Sequence, residues 1–331
     1  MKAIVYHEYG LPDELVLEEV FKPTPKDNEV LIKVHAASIN SWDWDLLRGI
    51  PFVNRLMAGL LKPKKIQILG CDVSGQIETV GKKVKQFHPG DEIFGDISRC
   101  GWGGFAEYVC ACETALTLKP ANMTFEQAAA VPQAAVLALQ GLRKGKISSE
   151  KSNPAAKVLI NGASGGVGSF AVPMAKSFSA EVTGVCSTQK MDFVRSLGAD
   201  YVIDYTHEDF TKNGLHYDLI LDVKGFHSIF DYKRALSPKG IYVMVGGATS
   251  LVNQLLFLGP WILITSNKKM SLLLHKPNAN DLDVIKTFFE AGKTIPVIDK
   301  CYPLNEVVDA FRYFGEGLAK GKVVITIGQD L

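Results

Sequence analysis

The stretch that decides the fold is 157–178, KVLINGASGGVGSFAVPMAKSF. Val158, Leu159 and Ile160 form a short apolar run of strand type, and Gly162, Gly165, Gly166 and Gly168 follow it. Val167, Phe170, Ala171, Met174, Ala175 and Phe178 then recur at helical spacing. Strand, glycine turn and helix together place a helix N-terminus where a pyrophosphate can sit. The first N–H groups there lack intrahelical partners, and the dipole favours negative charge. Glycine is needed because a Cβ would block the turn or the phosphates. Pro173 lies inside the helical part, removes one backbone hydrogen bond and predicts a kink.

Moving outward from this turn, strands and helices alternate. Strand 181–185 leads to helix 189–197, closed by Gly198. Strands 201–203 and 218–222, helix 226–236 and strand 241–245 continue the rhythm into Gly246 and Gly247. This pattern predicts a parallel sheet covered by helices on both faces, the doubly wound α/β arrangement. Upstream, segment 125–142 is rich in alanine and leucine and reads as one helix. Downstream, 270–274 reads as strand, 281–290 and 305–314 as helices and 322–327 as a last strand.

The first third reads differently. Segments 2–6, 15–20 and 29–37 are strand candidates, the last with Val30, Ile32 and Val34 on one face. A basic and apolar loop is expected over 51–65. Glycines at 70, 75, 81, 90, 103 and 104 punctuate further short strands, which suggests a compact barrel-like β domain.

A chain of 331 residues is long enough for two domains. Its net charge of +1 carries no field that would recruit nucleic acid. Six cysteines are scattered and no secretory signal pattern leads the sequence, so reduced thiols in a cytoplasmic protein are expected. Segment 251–264, LVNQLLFLGPWILI, is short for a membrane span and is interrupted by Asn253, Gln254, Gly259 and Pro260. It is expected to be a buried helix and loop, an oligomer contact or an apolar substrate lid; membrane contact is not expected.

Several short motifs in order resemble the medium-chain dehydrogenase/reductase superfamily, in its zinc-independent quinone oxidoreductase branch. They are Ser38-Ile39-Asn40 with Asp43, Gly70-Cys71-Asp72 with Gly75, Gly90-Asp91, Gly104-Phe105-Ala106-Glu107-Tyr108, the glycine turn 162–168, Leu197-Gly198-Ala199-Asp200 and Gly321-Lys322-Val323-Val324. The resemblance implies a GroES-like β-rich domain from residues 1–125 and 276–331, a Rossmann dinucleotide-binding domain from 126–275, and a cleft between them. It also implies a homodimer, with 270–274 as a candidate intersubunit strand.

On this reading the cofactor is held by Gly162, Ser164, Gly165, Gly166, Val167 and Gly168 at the turn, and by Gly246, Gly247, Gly321 and Lys322 near the nicotinamide. The second strand ends Val185-Cys186-Ser187-Thr188-Gln189-Lys190, with no acid before Asp192. An acid there would favour NAD, whereas Ser187 and Lys190 suit the 2′-phosphate of NADPH. The competing reading makes Ser187 a helix cap and Lys190 a solvated residue. Tyr205 is a candidate beside the adenosine end.

Zinc-dependent relatives carry a cysteine at the position of Asn40 and a histidine at that of Cys71. An amide is a poor zinc ligand, so no zinc is expected. Cys100, Cys110 and Cys112 have the wrong spacing for a structural zinc lobe. Without a Lewis acid, a polarised acceptor such as a quinone, enone or enal is easier to reduce than an alcohol is to oxidise. Asn40 is the candidate catalytic residue, its amide able to donate to a carbonyl oxygen, with Asp43 in a supporting role that orients the backbone. The alternatives are an alcohol dehydrogenase or aldehyde reductase and, of a different class, a non-catalytic NADPH-binding protein. The family often has a threonine near the nicotinamide ribose where this chain has Leu137. The greasy 251–264, with Phe52, Val53, Leu56, Met57, Leu60 and Leu61, suggests a bulky apolar acceptor.

Overall fold

The computed structural model describes residues 1–148 and 155–328. The expected dinucleotide segment includes 149–154, which with the last three residues lies outside the described ones. The chain divides into two compact units, one of residues 1–134, 277–290 and 296–331, the other of 135–276 and 291–295. The first division falls at Ala134/Ala135 and not at residue 125.

The first unit opens with the antiparallel pair β1 (Lys2–Val5) and β2 (Val16–Glu19). The long strand β3 (Glu29–Ile39) follows, with Val30, Ile32 and Val34 buried on one face and Leu31 of the other face buried as well. Helix α1 (Ser41–Arg48) starts at Asn40 and ends at Gly49, whose φ of +61° supplies the left-handed cap. The expected loop over 51–65 contains a second helix, α2 (Phe52–Ala58). Proline at its N-cap pre-sets the chain for a helix start, a cue outweighed by the composition of the segment.

Strands β4 (Asp72–Val80), β5 (Glu92–Asp96), β6 (Tyr108–Cys112) and β7 (Leu116–Leu118) then extend the sheet. The helix expected over 125–142 is two helices, α3 (Phe125–Ala129) and α4 (Pro132–Lys144). Pro132 lacks the N–H that a continuous helix would need there.

The second unit takes up the rest of α4 and builds a six-stranded sheet from β8 (Lys157–Asn161), β9 (Glu181–Cys186), β10 (Tyr201–Asp204), β11 (Tyr217–Asp222), β12 (Leu236–Met244) and β13 (Lys269–Leu272). Its order is β10-β9-β8-β11-β12-β13 and every pairing is parallel. The chain therefore starts at the centre of the sheet, grows to one edge and returns to the other, the doubly wound topology whose switch point lies between β8 and β11. Helices α5 (Gly166–Ser177), α6 (Met191–Ser196), α7 (Ile229–Ala235) and α8 (Thr249–Ser266) connect the strands. Helix α5 runs through Pro173.

The expectation that 251–264 is a buried helix and loop is corrected. It is one helix, α8, and only Leu251, Leu255, Gly259 and Ile262 on it are buried. Composition alone does not distinguish an apolar helix buried all round from one that faces outward.

The chain then re-enters the first unit with α9 (Ala279–Glu290), β14 (Ile298–Pro303), α10 (Val307–Gly315) and β15 (Lys322–Thr326). Strand β15 pairs antiparallel with β3, so both ends of the sequence share one seven-stranded sheet, β14-β15-β3-β4-β5-β7, with β6 also on β3. That pairing brings Lys322 beside the Asn40 end of β3.

Candidate active site

In the second unit the turn after β8 is held by Gly162 and Ala163, whose N–H groups both donate to Val185 O of β9 at 3.1 and 3.0 Å. Gly162 has φ +85°, and a Cβ on Gly168 would lie 2.2 Å from Gly162 O, so both glycines are required by the protein itself. Gly165 differs. A Cβ there would meet only Gly162 O, at 3.6 Å, which is an ordinary contact. Its glycine leaves open the space in front of the first turn of α5, where N–H groups await an acceptor. The cradle fits a dinucleotide pyrophosphate.

Ser187 sits between β9 and a short 3₁₀ turn, Thr188–Lys190, and its side chain makes no cap bond. The capping role weighed for it is therefore not filled. The acid nearest this strand end is Asp204, which closes β10 opposite Cys186. Its carboxylate accepts from Thr188 Oγ1, from Thr206 N at 2.9 Å and from Thr206 Oγ1 at 2.7 Å, with His207 Nδ1 3.0 Å away. These bonds, that of Thr188 foremost, hold it well below the usual carboxylate range. Tyr205 is exposed, its N–H on Cys186 O at 3.1 Å.

At the switch point, Asn161 and Asp222 end β8 and β11 in register. Buried Asp222 accepts from Asn161 Nδ2 at 2.8 Å and Tyr242 OH at 2.7 Å, and burial raises its pKa. Val245 N donates to Asp222 O, and Gly225 N to Gly246 O. A Cβ on Gly247 would lie 2.4 Å from Gly225 O, so this glycine lets the two strand-end loops close on each other. Asn161, Asp222 and Tyr242 are not singled out by the sequence; the one cue is that each of the first two polar residues ends an apolar strand.

The first unit holds a second buried polar cluster. Asp43, in the first turn of α1, accepts Asn40 N and Gly70 N, both at 2.8 Å. Burial nevertheless pushes its pKa up to about 7, against those two bonds. Asp72 accepts from Asn40 Nδ2 at 2.9 Å, Gln133 N at 2.9 Å and Ser38 Oγ at 3.2 Å. The Lys322 ammonium lies 3.4 Å from the same carboxylate and hydrogen-bonds Asn40 Oδ1. Burial raises Asp72 to about 6, with Lys322 the largest opposing influence. Cys71 Sγ receives Asn40 Nδ2 at 3.4 Å and Gln133 Nε2 at 3.3 Å. Burial first, then Asp43 and Asp72, raises its thiol far above the ordinary range.

The structure thus brings Asn40, Asp43 and Lys322 together and adds Asp72, Cys71, Gln133 and Ser38, which sequence reasoning had given no chemical role. Both Asn40 Nδ2 bonds are made inside the protein. Lys322 N is also committed, to Val297 O at 2.9 Å. Gly321 has φ +81°, and a Cβ there would lie 2.4 Å from Val297 O, so its glycine has a packing reason.

These features converge with the sequence comparisons. Residues 26–121 match the alcohol dehydrogenase GroES-like domain and residues 197–325 the zinc-binding dehydrogenase family. The chloroplast envelope quinone oxidoreductase homolog of Arabidopsis thaliana is 32% identical over 98% of this chain and 98% of its own. The chain belongs to the medium-chain dehydrogenase/reductase superfamily, in its quinone-oxidoreductase-like branch. The NADPH-dependent alkenal/one oxidoreductase of the same plant, a chloroplastic protein, is 33% identical over 98% of this chain and 79% of its own. Among solved structures, the quinone oxidoreductase from Coxiella burnetii superposes with a TM-score of 0.85 at 28% identity, covering 99% of each chain. As a superfamily member the protein is an oxidoreductase that uses a nicotinamide cofactor.

Proposed function

We propose that this superfamily member is an NADPH-dependent reductase that works without zinc and delivers hydride to a quinone or an α,β-unsaturated carbonyl. The relatives named for quinones and alkenals support the acceptor class. The observation that carries the metal-free reading is Lys322. Cys71 Sγ and oxygens of Asp72 and Asp96 lie within 4.8 Å of one another, near enough to suggest a cation site. Each of the first two already faces a proton donor, however. Lys322 and Asn40 Nδ2 point at Asp72, and Asn40 and Gln133 point at Cys71. Zinc binds thiolate and neutral imidazole; here burial raises the Cys71 thiol's pKa, which disfavours the thiolate, and no histidine is in the set. The fixed ammonium occupies the electrostatic role that a divalent ion would need. The donor set does not fit zinc.

When bound at the glycine turn, the dinucleotide supplies hydride from its nicotinamide ring. The chain's own residues do the positioning. Gly162–Gly168 seat the phosphates, Ser187 and Lys190 suit the 2′-phosphate, and the Asn161–Asp222–Tyr242 network fixes the loops at the switch point. Asn40 acts as a positioning residue and not as an oxyanion donor, since its amide protons are taken by Asp72 and Cys71. Strand β13 ends the sheet order with one side unpaired among the described residues, which supports the homodimer implied by the resemblance. The cytoplasmic expectation gains nothing from the two plant relatives, which are chloroplast proteins by name.

The test is NADPH oxidation across a panel of quinones, enals, enones and simple aldehydes, with elemental analysis of the same preparation. Turnover of quinones or enones at well below one zinc per chain is expected. Turnover confined to aldehydes, or stoichiometric zinc, would overturn the proposal, and tight NADPH binding with no turnover would favour the non-catalytic alternative.

A further inference from the structure

Helix α8 is apolar on two sides but buried on only one. Its inner residues Leu251, Leu255 and Ile262 pack into the core of the second unit, alongside Tyr242 and Met244 of β12. Its outer face carries Leu256, Phe257, Trp261 and Ile264, which are 62%, 80%, 51% and 84% exposed. Their spacing of one, four and three residues keeps them on one side of a helix. Phe230 of α7 extends the patch, edge-on to Trp261 at 6.5 Å. A surface helix ordinarily turns a polar stripe outward, and one that is apolar all round is ordinarily buried. A contiguous exposed patch of this kind marks an interaction surface.

The charge around it identifies the partner. Between Asp231 and Asp281 the chain has no aspartate or glutamate and six cations, of which Arg234 is paired with Asp231 at 2.7 Å, leaving Lys233, Lys239, Lys268, Lys269 and Lys276. The whole chain has a net charge of only +1, so the remainder carries −5. One of these cations stands at the outer face of the helix: Lys233 Nζ lies over the Trp261 ring at 5.3 Å. Lys268, just past the end of α8, donates to Lys233 O at 2.9 Å and Leu236 O at 2.6 Å. We infer that the outward face of α8 docks on a lipid bilayer bearing anionic headgroups. Phe257 and Ile264 enter the apolar boundary, Trp261 lies at the interface, and Lys233 beside it reaches the headgroups. A second copy set face to face on this patch would bring the lysine fringe against its own image, whereas anionic lipid complements it.

By length and composition α8 could cross a membrane. Eighteen residues rise about 27 Å, short of a hydrocarbon core of roughly 30 Å, and the inner face is already committed to the protein core. The helix therefore lies on the bilayer. Lipid docking of this helix departs from the expectation of no membrane contact and is independent of the reductase reading.

Flotation of the full-length protein with vesicles of phosphatidylcholine, alone or with about one-third phosphatidylglycerol, tests it. Binding is expected to the anionic vesicles, with a blue shift of tryptophan emission that is absent in Trp261→Phe. The double variant Phe257→Gln/Ile264→Gln should lower the bound fraction roughly tenfold or more while keeping the thermal midpoint. No flotation, or flotation indifferent to the double variant, overturns the inference. So does a wild-type dimer in sedimentation that the double variant converts to monomer without any vesicle binding, since a second copy would then cover the face.

Discussion

Replacing Lys322 with methionine keeps most of the side-chain stem and deletes its charge, so it isolates what the ammonium contributes to the Asn40–Asp72 cluster. In the native protein Asp72 is fully buried and titrates at about 6, raised by burial and restrained chiefly by Lys322. An acid whose folded pKa lies above its unfolded value, roughly 4, loses stability as pH rises between the two and levels off above the folded value. For wild type this loss ends near pH 6. Without the cation the folded pKa rises further, and stability continues to fall by about 1.4 kcal/mol per pH unit until the new value is reached.

Each further unit that the folded pKa rises adds up to about 1.4 kcal/mol to the cost of Lys322→Met at pH 8 relative to pH 5, toward the roughly 3–5 kcal/mol for stranding one member of a buried ion pair. At pH 5 both proteins hold Asp72 protonated, and only the lost hydrogen bond to Asn40 and altered packing remain, on the order of 1 kcal/mol. Urea unfolding followed by fluorescence measures this. Three of the four tryptophans, Trp42, Trp44 and Trp102, lie in the unit that holds the cluster, and a Trp261→Phe background makes the signal report on it alone. Adding Asp72→Asn should remove the pH-dependent part. An equal cost at pH 5 and pH 8 would refute the electrostatic argument and leave a packing defect.

Asp43→Asn should flatten part of the native fall in stability between about pH 4 and pH 7, at most about 4 kcal/mol, because Asp43 also titrates high at about 7; an unchanged pH profile of the unfolding midpoint would count against it. Gly168→Ala must push a methyl toward Gly162 O from 2.2 Å, so NADPH affinity by fluorescence titration should drop and stability should fall by about 1–3 kcal/mol. Affinity equal to wild type would show that the turn tolerates the shift. NADPH should bind more tightly than NADH, and Lys190→Ala should erase most of the difference; equal dissociation constants in the wild type would end the NADPH assignment.

The fold was legible because it rests on local signals. The alternation of strands and helices after Lys157, the glycines at 162–168 and the strand-forming ends of the chain are readable from a few residues at a time. The misreadings share a cause. Segment 125–142 looked like one helix because composition outweighed Pro132, and α2 was missed because seven residues carry little periodicity. The exposure of α8 could not be read at all. An apolar helix has the same sequence whether its outer face meets protein, lipid or water, and only the packing of Leu251, Leu255 and Ile262 shows which side is turned inward.

The Lys322 cluster shows where reading by motif ends. Asn40, Cys71, Asp72, Gln133 and Lys322 span 282 positions from first to last, and β15 pairing beside β3 brings them together. Taken one at a time, Asn40 is an amide near a nicotinamide, Cys71 a small buried thiol and Lys322 a basic residue after a glycine. Together they form a closed set in which each Asn40 side-chain polar atom has a partner and a buried carboxylate is balanced by one ammonium. The missing zinc ligands suggested a metal-free site, which remains the proposed reading, and they do not say what charge stands there. The Lys322 ammonium, placed by long-range strand pairing, supplies the positive charge at that position, so a change at Lys322 should act on Asp72 and Asn40 before it acts on any bound cofactor.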